Sequence, residues 1–419
     1  MIAAHDLLRP IGRATIAVLL LAGSAAPALA QGQEAPDRLT VTPIIDARIR
    51  LETVDQPVLG ADALTLRVRG GAEARLGGFS LLAEAEATLA PVDDYNAFPF
   101  ALPGNDQSRP GHSVVADPEN AELNRLQLQY RFDGGAVTVG RQRINLDDQR
   151  WVGSVGWRQN EQTFDAVRGE ARVGAVAADI TYAIGQRTIF GAEAGPRTAV
   201  DGDFMFAGLA VRQGAVQGKL FAYLLDFDES FALANSSQTY GGFVTAAVPL
   251  GGDTRLNLRA SYARQSDYGR NAFDYAADYW AVEAGISLAG FDITTGFEQL
   301  GSDNGRAVQA PMATLHRFNG WADMFLTTPP AGLNDYYVSV GRTFESVRLL
   351  PGLNANLAFH QFDSAVGGFG YGSEWDASVG FRAGPFGLLL KFADYDAEGF
   401  GVDTSKVWLQ LEWSLAPRR

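Results

Sequence analysis

Residues 64–76 read LTLRVRGGAEARL, and apolar or small residues occupy every second position of this stretch. Leu66 and Val68 belong to one series, whereas Arg67 and Arg69 belong to the other. Because alternate side chains of a β-strand point to opposite faces, this period of two predicts a strand with one apolar and one charged face.

The same period extends along nearly the whole chain. We expect eighteen strands of about ten residues each, a length that suits tilted strands crossing a bilayer. They lie near 39–52, 64–76, 79–89, 122–132, 136–144, 162–173, 175–184, 203–212, 216–226, 239–249, 253–264, 277–288, 291–300, 334–343, 353–363, 373–383, 386–396 and 406–415.

Short turns and long connections alternate between these segments. Gly77-Gly78 and Gly384-Pro385 are among the short turns, and the long connections include 52–62, 90–121 and 301–333. Short periplasmic turns and long outer loops are typical of transmembrane barrels. The fold class predicted is therefore all-β, an antiparallel barrel of about 18 strands in the outer membrane of a Gram-negative bacterium.

Local departures from the pattern need separate explanations. Residues 311–326 resemble a further strand, but the alternation of long and short connections holds only if they lie in a loop. Gly140 and the Thr163–Arg168 stretch interrupt the period of two, and a β-bulge at each would restore it.

A soluble β-sandwich is the alternative fold, since its strands alternate too. Aromatic residues near the strand ends of the apolar faces favour a membrane barrel, because they resemble the aromatic girdles at the bilayer surfaces. They are Phe79, Tyr130, Phe132, Tyr182, Trp280, Phe297, Trp375, Phe381, Phe386 and Trp413.

The first thirty residues predict a cleaved signal peptide. Arg9 and Arg13 precede the apolar core 16–23, and Ala28-Leu29-Ala30 offers a cleavage site. A retained anchor is the alternative. We expect two parts, the signal peptide 1–30 and the barrel 31–419.

The chain has no cysteine, which disfavours disulfides and thiolate metal sites. Its net charge of −14 and pI near 4.8 disfavour nucleic acid as a partner.

The charged faces of the strands supply candidate pore-lining residues. Arginine binds carboxylates bidentately and would favour anionic solutes. Pairing with carboxylates on neighbouring strands, which would only hold the barrel's shape, is an equal alternative for any one residue. The candidates from these faces are Arg48, Arg50, Arg67, Arg69, Arg125, Arg131, Arg168, Arg172, Arg259 and Arg382, and the family resemblance given next adds Arg141 and Arg143.

Two stretches resemble the alginate-export family of outer-membrane barrels. They are VTVGRQRINLDDQRWVGSVGWRQNEQTFDAVRGE at 137–170 and ATLHRFNGWADMFLTTPPAGLNDYY at 313–337. The resemblance implies an eighteen-stranded barrel through which an anionic uronic-acid polymer diffuses along an arginine-lined conduit, narrowed by an infolded loop. The matching positions of the first stretch are Arg141, Arg143, Asp147, Asp148, Arg150, Arg158 and Arg168.

We therefore predict a monomeric, passive channel for anionic or sugar-like solutes, with export of a polysaccharide such as alginate as the specific form. The expected partners are outer-membrane lipid, the anionic polysaccharide or a small acidic solute, and, for export, a periplasmic protein. Loops 90–121 and 301–333 are candidates for a constriction.

No catalytic residue, cofactor or metal site is predicted. The alternatives are a barrel enzyme of the lipase or protease type and a plugged receptor. His112 and His316 fall in loops, and His360, at the outer end of a strand, has no Ser-His or Asp-His spacing that favours catalysis. Asp93-Asp94 and Asp147-Asp148 lack a spaced set of oxygen ligands for calcium.

Overall fold

The computed structural model describes residues 38–344, 347 and 349–415. Eighteen long strands, numbered in chain order, make up its wall. The first nine are β1 Thr40–Asp55, β2 Gly60–Leu76, β3 Phe79–Asp94, β4 Asn120–Phe132, β5 Gly135–Gln142, β6 Thr163–Val173, β7 Val176–Arg187, β8 Ala199–Gln213 and β9 Val216–Phe227. The others are β10 Ser237–Gly251, β11 Thr254–Asp267, β12 Ala276–Leu288, β13 Phe291–Leu300, β14 Leu333–Phe344, β15 Leu353–Asp363, β16 Gly370–Ala383, β17 Phe386–Ala397 and β18 Thr404–Ser414.

Each strand pairs antiparallel with its neighbours in the chain, and β1 pairs with β18, so the sheet closes into a barrel. Closure leaves no unpaired sheet edge, which a strand protein in a bilayer requires. The predicted barrel of eighteen strands is confirmed.

The predicted signal peptide lies outside the described residues. No helix among the described residues is both long and apolar enough to cross a membrane.

Short elements lie in the connections. A hairpin joins Ser302–Asp303 to Arg306–Ala307, and single 3-10 turns occur at Gly195–Arg197, Leu233–Asn235 and Leu315–Arg317. The rest of 311–326 is irregular, which confirms that this segment lies in a loop rather than in the wall.

Two predicted details of the wall differ from the structure. The connection predicted at 52–62 is only the tight turn 56–59, because β1 and β2 stay paired up to Asp55 opposite Gly60. Gly140 carries no bulge, since β5 keeps continuous register with both neighbours. Gly140 instead has a φ of 111°, and a Cβ there would lie 2.4 Å from the Leu126 carbonyl oxygen.

The expected irregularity in the Thr163–Arg168 stretch is present. The register between β6 and β7 shifts between Asp165 and Ala166, whose partners are Gly185 and Ala183. Ile184 is therefore the extra residue, and it lies on the facing strand β7.

The two faces of the wall differ as the period of two predicts. Outward positions carry exposed apolar side chains, and aromatic pairs such as Tyr262–Trp280 and Phe359–Trp375 pack on this face with their rings tilted by 48° and 49°. The inward positions are polar on most strands, whereas those of β8 and β9 are largely apolar, with Phe204, Phe206 and Phe221 buried against the loops. Trp408 is an inward exception and is fully buried.

Candidate functional site: the infolded loops of the lumen

Three connections at the long-loop end of the barrel bend into the lumen. They are the 143–162 loop between β5 and β6, the 301–332 loop between β13 and β14, and part of the 95–119 loop between β3 and β4. By analogy with other outer-membrane barrels, this end faces the outside and the short turns face the periplasm. Ile144, Gln159, Asn160 and Met312 are all fully buried, so these loops are packed inside the barrel rather than above it.

The 143–162 and 301–332 loops are joined to each other. Val152 and Met312 form a parallel β-bridge, and the Gly153 N–H donates to the Met312 carbonyl at 2.8 Å. The Gln162 side-chain amide donates to the carbonyls of both Gly153 and Met312, at 2.7 and 2.9 Å. The two loops consequently form one packed layer across the lumen.

Arginines of β1 hold the 143–162 loop by its backbone. Arg48 donates to the carbonyls of Trp157, Arg158 and Gly156 at 2.9, 3.0 and 3.2 Å. Arg50 donates to the Trp157 carbonyl at 2.5 Å, and its guanidinium lies 4.1 Å from the centre of the Trp157 ring. A guanidinium has five N–H donors, so one side chain can bind several successive carbonyls.

Carboxylates hold the 143–162 loop as well, through a backbone N–H group and through the side chain of Arg158. Asp117 of the 95–119 loop accepts from the Gln159 N–H at 2.7 Å. Arg158 forms ion pairs with Glu52 at 3.2 Å and Asp323 at 2.8 Å. Burial acts to lower the pKa of Arg158, but Glu52 and the two aspartates outweigh it and hold that pKa above its ordinary value.

Glu161 is the central anion at the other end of the loop. It pairs with Arg69 at 3.4 Å and with Arg143, and it accepts from Asn124 at 2.7 Å. Burial would raise the pKa of Glu161, but the two arginines hold it below its usual range. The Glu161 carboxyl is therefore ionised in the docked 143–162 loop.

Acidic residues of β16 bind the turn at 320–322 of the 301–332 loop. The Ala322 N–H donates to Glu374 at 2.7 Å, and the Trp321 N–H donates to Asp376 at 3.2 Å. Gly320 has a φ of 82°, and a Cβ on it would lie 2.3 Å from Glu374 Oε2. The positive φ therefore favours glycine, and an added Cβ would displace the Glu374 carboxylate that accepts from the Ala322 N–H.

His316 connects that loop to the wall. Its Nδ1 lies 2.8 Å from Asp323 and its Nε2 lies 2.6 Å from Lys391 Nζ. Since an ionised carboxylate can only accept, the Asp323 contact places the imidazole proton on Nδ1, and the neutral ring then accepts at Nε2. Burial and Lys391 lower the pKa of His316 well below its ordinary value, against the opposite effect of Asp323.

Aromatic rings fill the space around this imidazole. Trp157 stacks on His316 with ring centres 4.4 Å apart, and Trp408 meets Trp157 edge to face at 5.8 Å. Trp408 breaks the polar pattern of its strand because the docked loops give it an apolar environment.

The structure separates the twelve predicted pore residues into groups. Arg48, Arg50, Arg67 and Arg69 face inward but are buried under the loops. Arg125 binds Glu84 at 2.7 Å, and Arg143 lies in the 143–162 loop. Five face the lumen nearer the periplasmic end, namely Arg131, Arg168, Arg172, Arg259 and Arg382.

Sequence reasoning did not single out the 143–162 loop as the main infolded segment. The sequence feature that could have identified this loop as infolded is WVGSVGW at 151–157, which is unusually apolar for an outer loop. Trp157 and Arg158, at the centre of the contacts described above, were therefore missed as docking residues.

Residues considered for catalysis or metal binding have other partners. His316 and His360 are bound by Asp323 and Asp335, and within the described chain no serine hydroxyl bonds to either ring. Asp147 and Asp148 bind Lys219 and Arg259 at 3.0 and 2.7 Å. No metal-ligating group of histidine and acidic side chains occurs among the described residues.

Comparison with protein families matches the chain over residues 46–365 to the family described as alginate export. That match spans β1 to β15, including every element of the infolded layer. The chain belongs to the alginate-export family. Comparison with curated protein sequences gives no match.

Solved structures share the fold of this alginate-export family protein. OccK9 (OpdG) of Pseudomonas aeruginosa is 14% identical with a TM-score of 0.70, covering 90% of this chain and 98% of its own. OccAB4 of Acinetobacter baumannii is 13% identical with a TM-score of 0.69, covering 90% and 99%. OpdK of P. aeruginosa, solved with vanillate, is 14% identical with a TM-score of 0.68, covering 90% and 98%. OpdK is described as an outer-membrane protein. As a closed barrel of eighteen strands in the alginate-export family, this chain is an outer-membrane channel for solutes.

One position of the alginate-export motif lies away from the lumen. Arg141 is opposite Leu126, which is 45% exposed on the outward face, and it shares that face of β5 with Val137 and Val139. Directly opposite residues of an antiparallel pair point to the same side. Arg141 binds Asp165 there at 2.8 Å, so the prediction that it lines the pore is wrong.

Proposed function

We propose that this alginate-export family channel prefers anionic solutes, with acidic saccharides as its substrate class. The observation that carries the proposal is a group of four inward-facing arginines at the periplasmic mouth, Arg131, Arg172, Arg212 and Arg255. Within the described chain none of the four forms an ion pair with a carboxylate.

Their inward direction follows from their neighbours in the strands. Arg131 is next to outward Tyr130, Arg172 to outward Val173, and Arg212 to outward Val211. Unpaired cations at the mouth of a low-dielectric channel raise the local concentration of anions.

Other lumen arginines contribute less net charge. Arg168 is neutralised by Glu170 at 2.8 Å, and Arg259 by Asp148 at 2.7 Å. Arg48 and Arg50 are occupied by the loop backbone. The mouth arginines are therefore cationic groups that no carboxylate neutralises within the described chain; Arg131 and Arg212 donate only to the neutral side chains of Gln129 and Gln217.

Passage of a polymer requires the docked loops to move. The 143–162 and 301–332 loops bury the inward residues of the outer half of the wall. A uronic-acid chain carries one carboxylate per sugar, and the successive arginines would bind these carboxylates in turn. Partnership with a periplasmic export protein stays a prediction.

The test is reversal potential and conductance in planar bilayers. Replacing the four mouth arginines by glutamine should reduce anion preference and weaken block by uronic-acid oligomers. The matched control replaces Arg141, Arg264 and Arg342, which lie on the outward face, and should leave both properties unchanged. Unchanged selectivity in the mouth variant would contradict the proposal.

We also propose that the chain is not an enzyme. His360 is held by Asp335 at 2.9 Å within the wall, and His316 is buried between Asp323 and Lys391. Lipase or protease activity of the purified barrel that disappears in His360→Ala would overturn this statement.

A further inference from the structure

Three outer loops place an arginine between two aromatic rings. Arg197 lies in the loop between β7 and β8, Phe100 in the 95–119 loop and Phe231 in the loop between β9 and β10. The guanidinium carbon is 4.7 Å from the centre of the Phe100 ring and 4.2 Å from that of Phe231. Both ring faces attract the cation, so they hold the side chain without using its N–H donors.

Those donors are unused within the described chain, where no carboxylate or carbonyl accepts a hydrogen bond from the Arg197 side chain. Other outer arginines differ. Arg270 binds Asp226 at 3.2 Å and also Asp228, while Arg187 binds Glu122. Arg197 is thus a half-buried cation in a fixed position with free donors.

The backbone under Arg197 is also fixed. Its N–H donates to the Ala194 carbonyl at 3.1 Å, and its carbonyl accepts from the Thr188 hydroxyl at 2.6 Å. A receptor group held in place before the ligand arrives loses less entropy on binding.

An apolar groove lies next to this arginine. A cavity of about 380 Å³ in the 95–119 loop, here called the outer groove, is lined mainly by Phe98, Pro99, Phe100, Leu102, Pro103 and Pro110. Phe100 both lines the outer groove and packs on Arg197. On the neighbouring turn, a Cβ added to Gly195 would lie 3.2 Å from Leu102 Cδ1. The outer groove and the guanidinium therefore share the Phe100 ring.

We propose that Arg197 and the outer groove form a binding site at the outer mouth for a small aromatic carboxylate. The carboxylate would accept two N–H groups of Arg197, and the ring would pack against the phenylalanine, leucine and proline side chains.

The polar groups nearby disfavour a sugar acid. The Asn96 side chain donates to the Phe98 carbonyl at 2.8 Å, and the Asn105 side chain donates to the Glu193 carbonyl at 3.0 Å. Ser108 is the remaining polar side chain of the lining, so a sugar would bury more hydroxyls than the outer groove can bond. The site is built from three outer loops and is independent of the selectivity proposed above.

The experiment measures binding of benzoate to the full-length barrel in detergent by ligand-observed NMR, with benzyl alcohol and glucuronate as comparison ligands. Arg197→Gln should weaken benzoate binding by about fivefold or more. Arg197→Lys keeps the charge but lacks the planar pair of N–H donors. Its affinity for benzoate should therefore lie between those of the wild type and Arg197→Gln. The matched control Arg270→Gln removes an outer arginine that already has acidic partners and should bind as the wild type does.

Three results would overturn the proposal. The first is equal benzoate binding by wild type and Arg197→Gln, or no binding by wild type at millimolar concentration. The second is benzyl alcohol binding as tightly as benzoate, because the carboxylate would then not be recognised. The third is Arg197-dependent binding of glucuronate at least as tight as that of benzoate. Arg197→Gln should leave ion selectivity unchanged, which separates this site from the mouth arginines.

Discussion

Replacing Arg50 by glutamine removes the side chain that joins β1 to the 143–162 loop. Arg50 is fully buried and binds Gln410 at 2.9 Å, Asp117 at 3.3 Å and the Trp157 carbonyl at 2.5 Å. Removing one partner of a buried ion pair costs about 3–5 kcal/mol, because the other charge stays buried without compensation.

The lower end of that range applies to Arg50→Gln. Arg158 lies 3.9 Å from the same Asp117 carboxylate and supplies part of the missing charge. A loss of about 3 kcal/mol shifts the equilibrium between docked and undocked loop by about a hundredfold. The undocked state should then appear as frequent openings in single-channel records and as faster trypsin cleavage within 143–162.

Arg382→Gln is the control, because Arg382 is an inward arginine whose side chain is 63% exposed and lies 3.8 Å from Glu412. Exposed ion pairs contribute about 0–1 kcal/mol to stability. The frequency of channel openings and the rate of trypsin cleavage in this variant should therefore match those of the wild type. If Arg50→Gln behaved in the same way as Arg382→Gln, the docking role of the β1 arginines would be refuted.

Three further predictions concern the same layer and the outward face. Gly320→Ala should undock the 301–332 loop, since its Cβ would meet Glu374 Oε2 at 2.3 Å; unchanged channel openings would contradict this. Acidification should weaken docking. The pKa of docked His316 is depressed, so only the undocked imidazole gains a proton below its ordinary pKa of 6.5, and docking loses about 2 kcal/mol by pH 5. His316→Gln should remove that part of the pH dependence of channel openings, and an unaltered pH profile would count against it. Arg141→Gln should leave reversal potential unchanged, because its side chain faces outward; a shift would place it in the lumen.

The strand pattern predicted the wall well because burial of alternate side chains is a local property. Arg67 and Val68 take opposite faces as the period of two requires, and 311–326 was placed correctly by the alternation of connections alone. The first connection was misjudged, because pairing between β1 and β2 continues through residues whose sequence does not alternate clearly. Arg141 was assigned to the pore from the family resemblance, which does not show the face of β5 that it occupies; the continuous register of β5 places it outward.

The partners of the lumen arginines were beyond sequence reasoning. Arg48 and Arg50 bind carbonyls more than a hundred residues away, and Arg158 binds Asp323 at a separation of 165 residues. Any carbonyl can accept from a guanidinium, so no side-chain pattern marks those partners in advance.

The sequence by itself determined the barrel, its strand number and the charged inner face, because each follows from the local alternation of side chains. Only the tertiary structure decided which inner arginines hold loops and which remain free at the mouth. That choice depends on where long loops fold once the barrel has closed, since closure brings residues far apart in the chain into one confined, low-dielectric space.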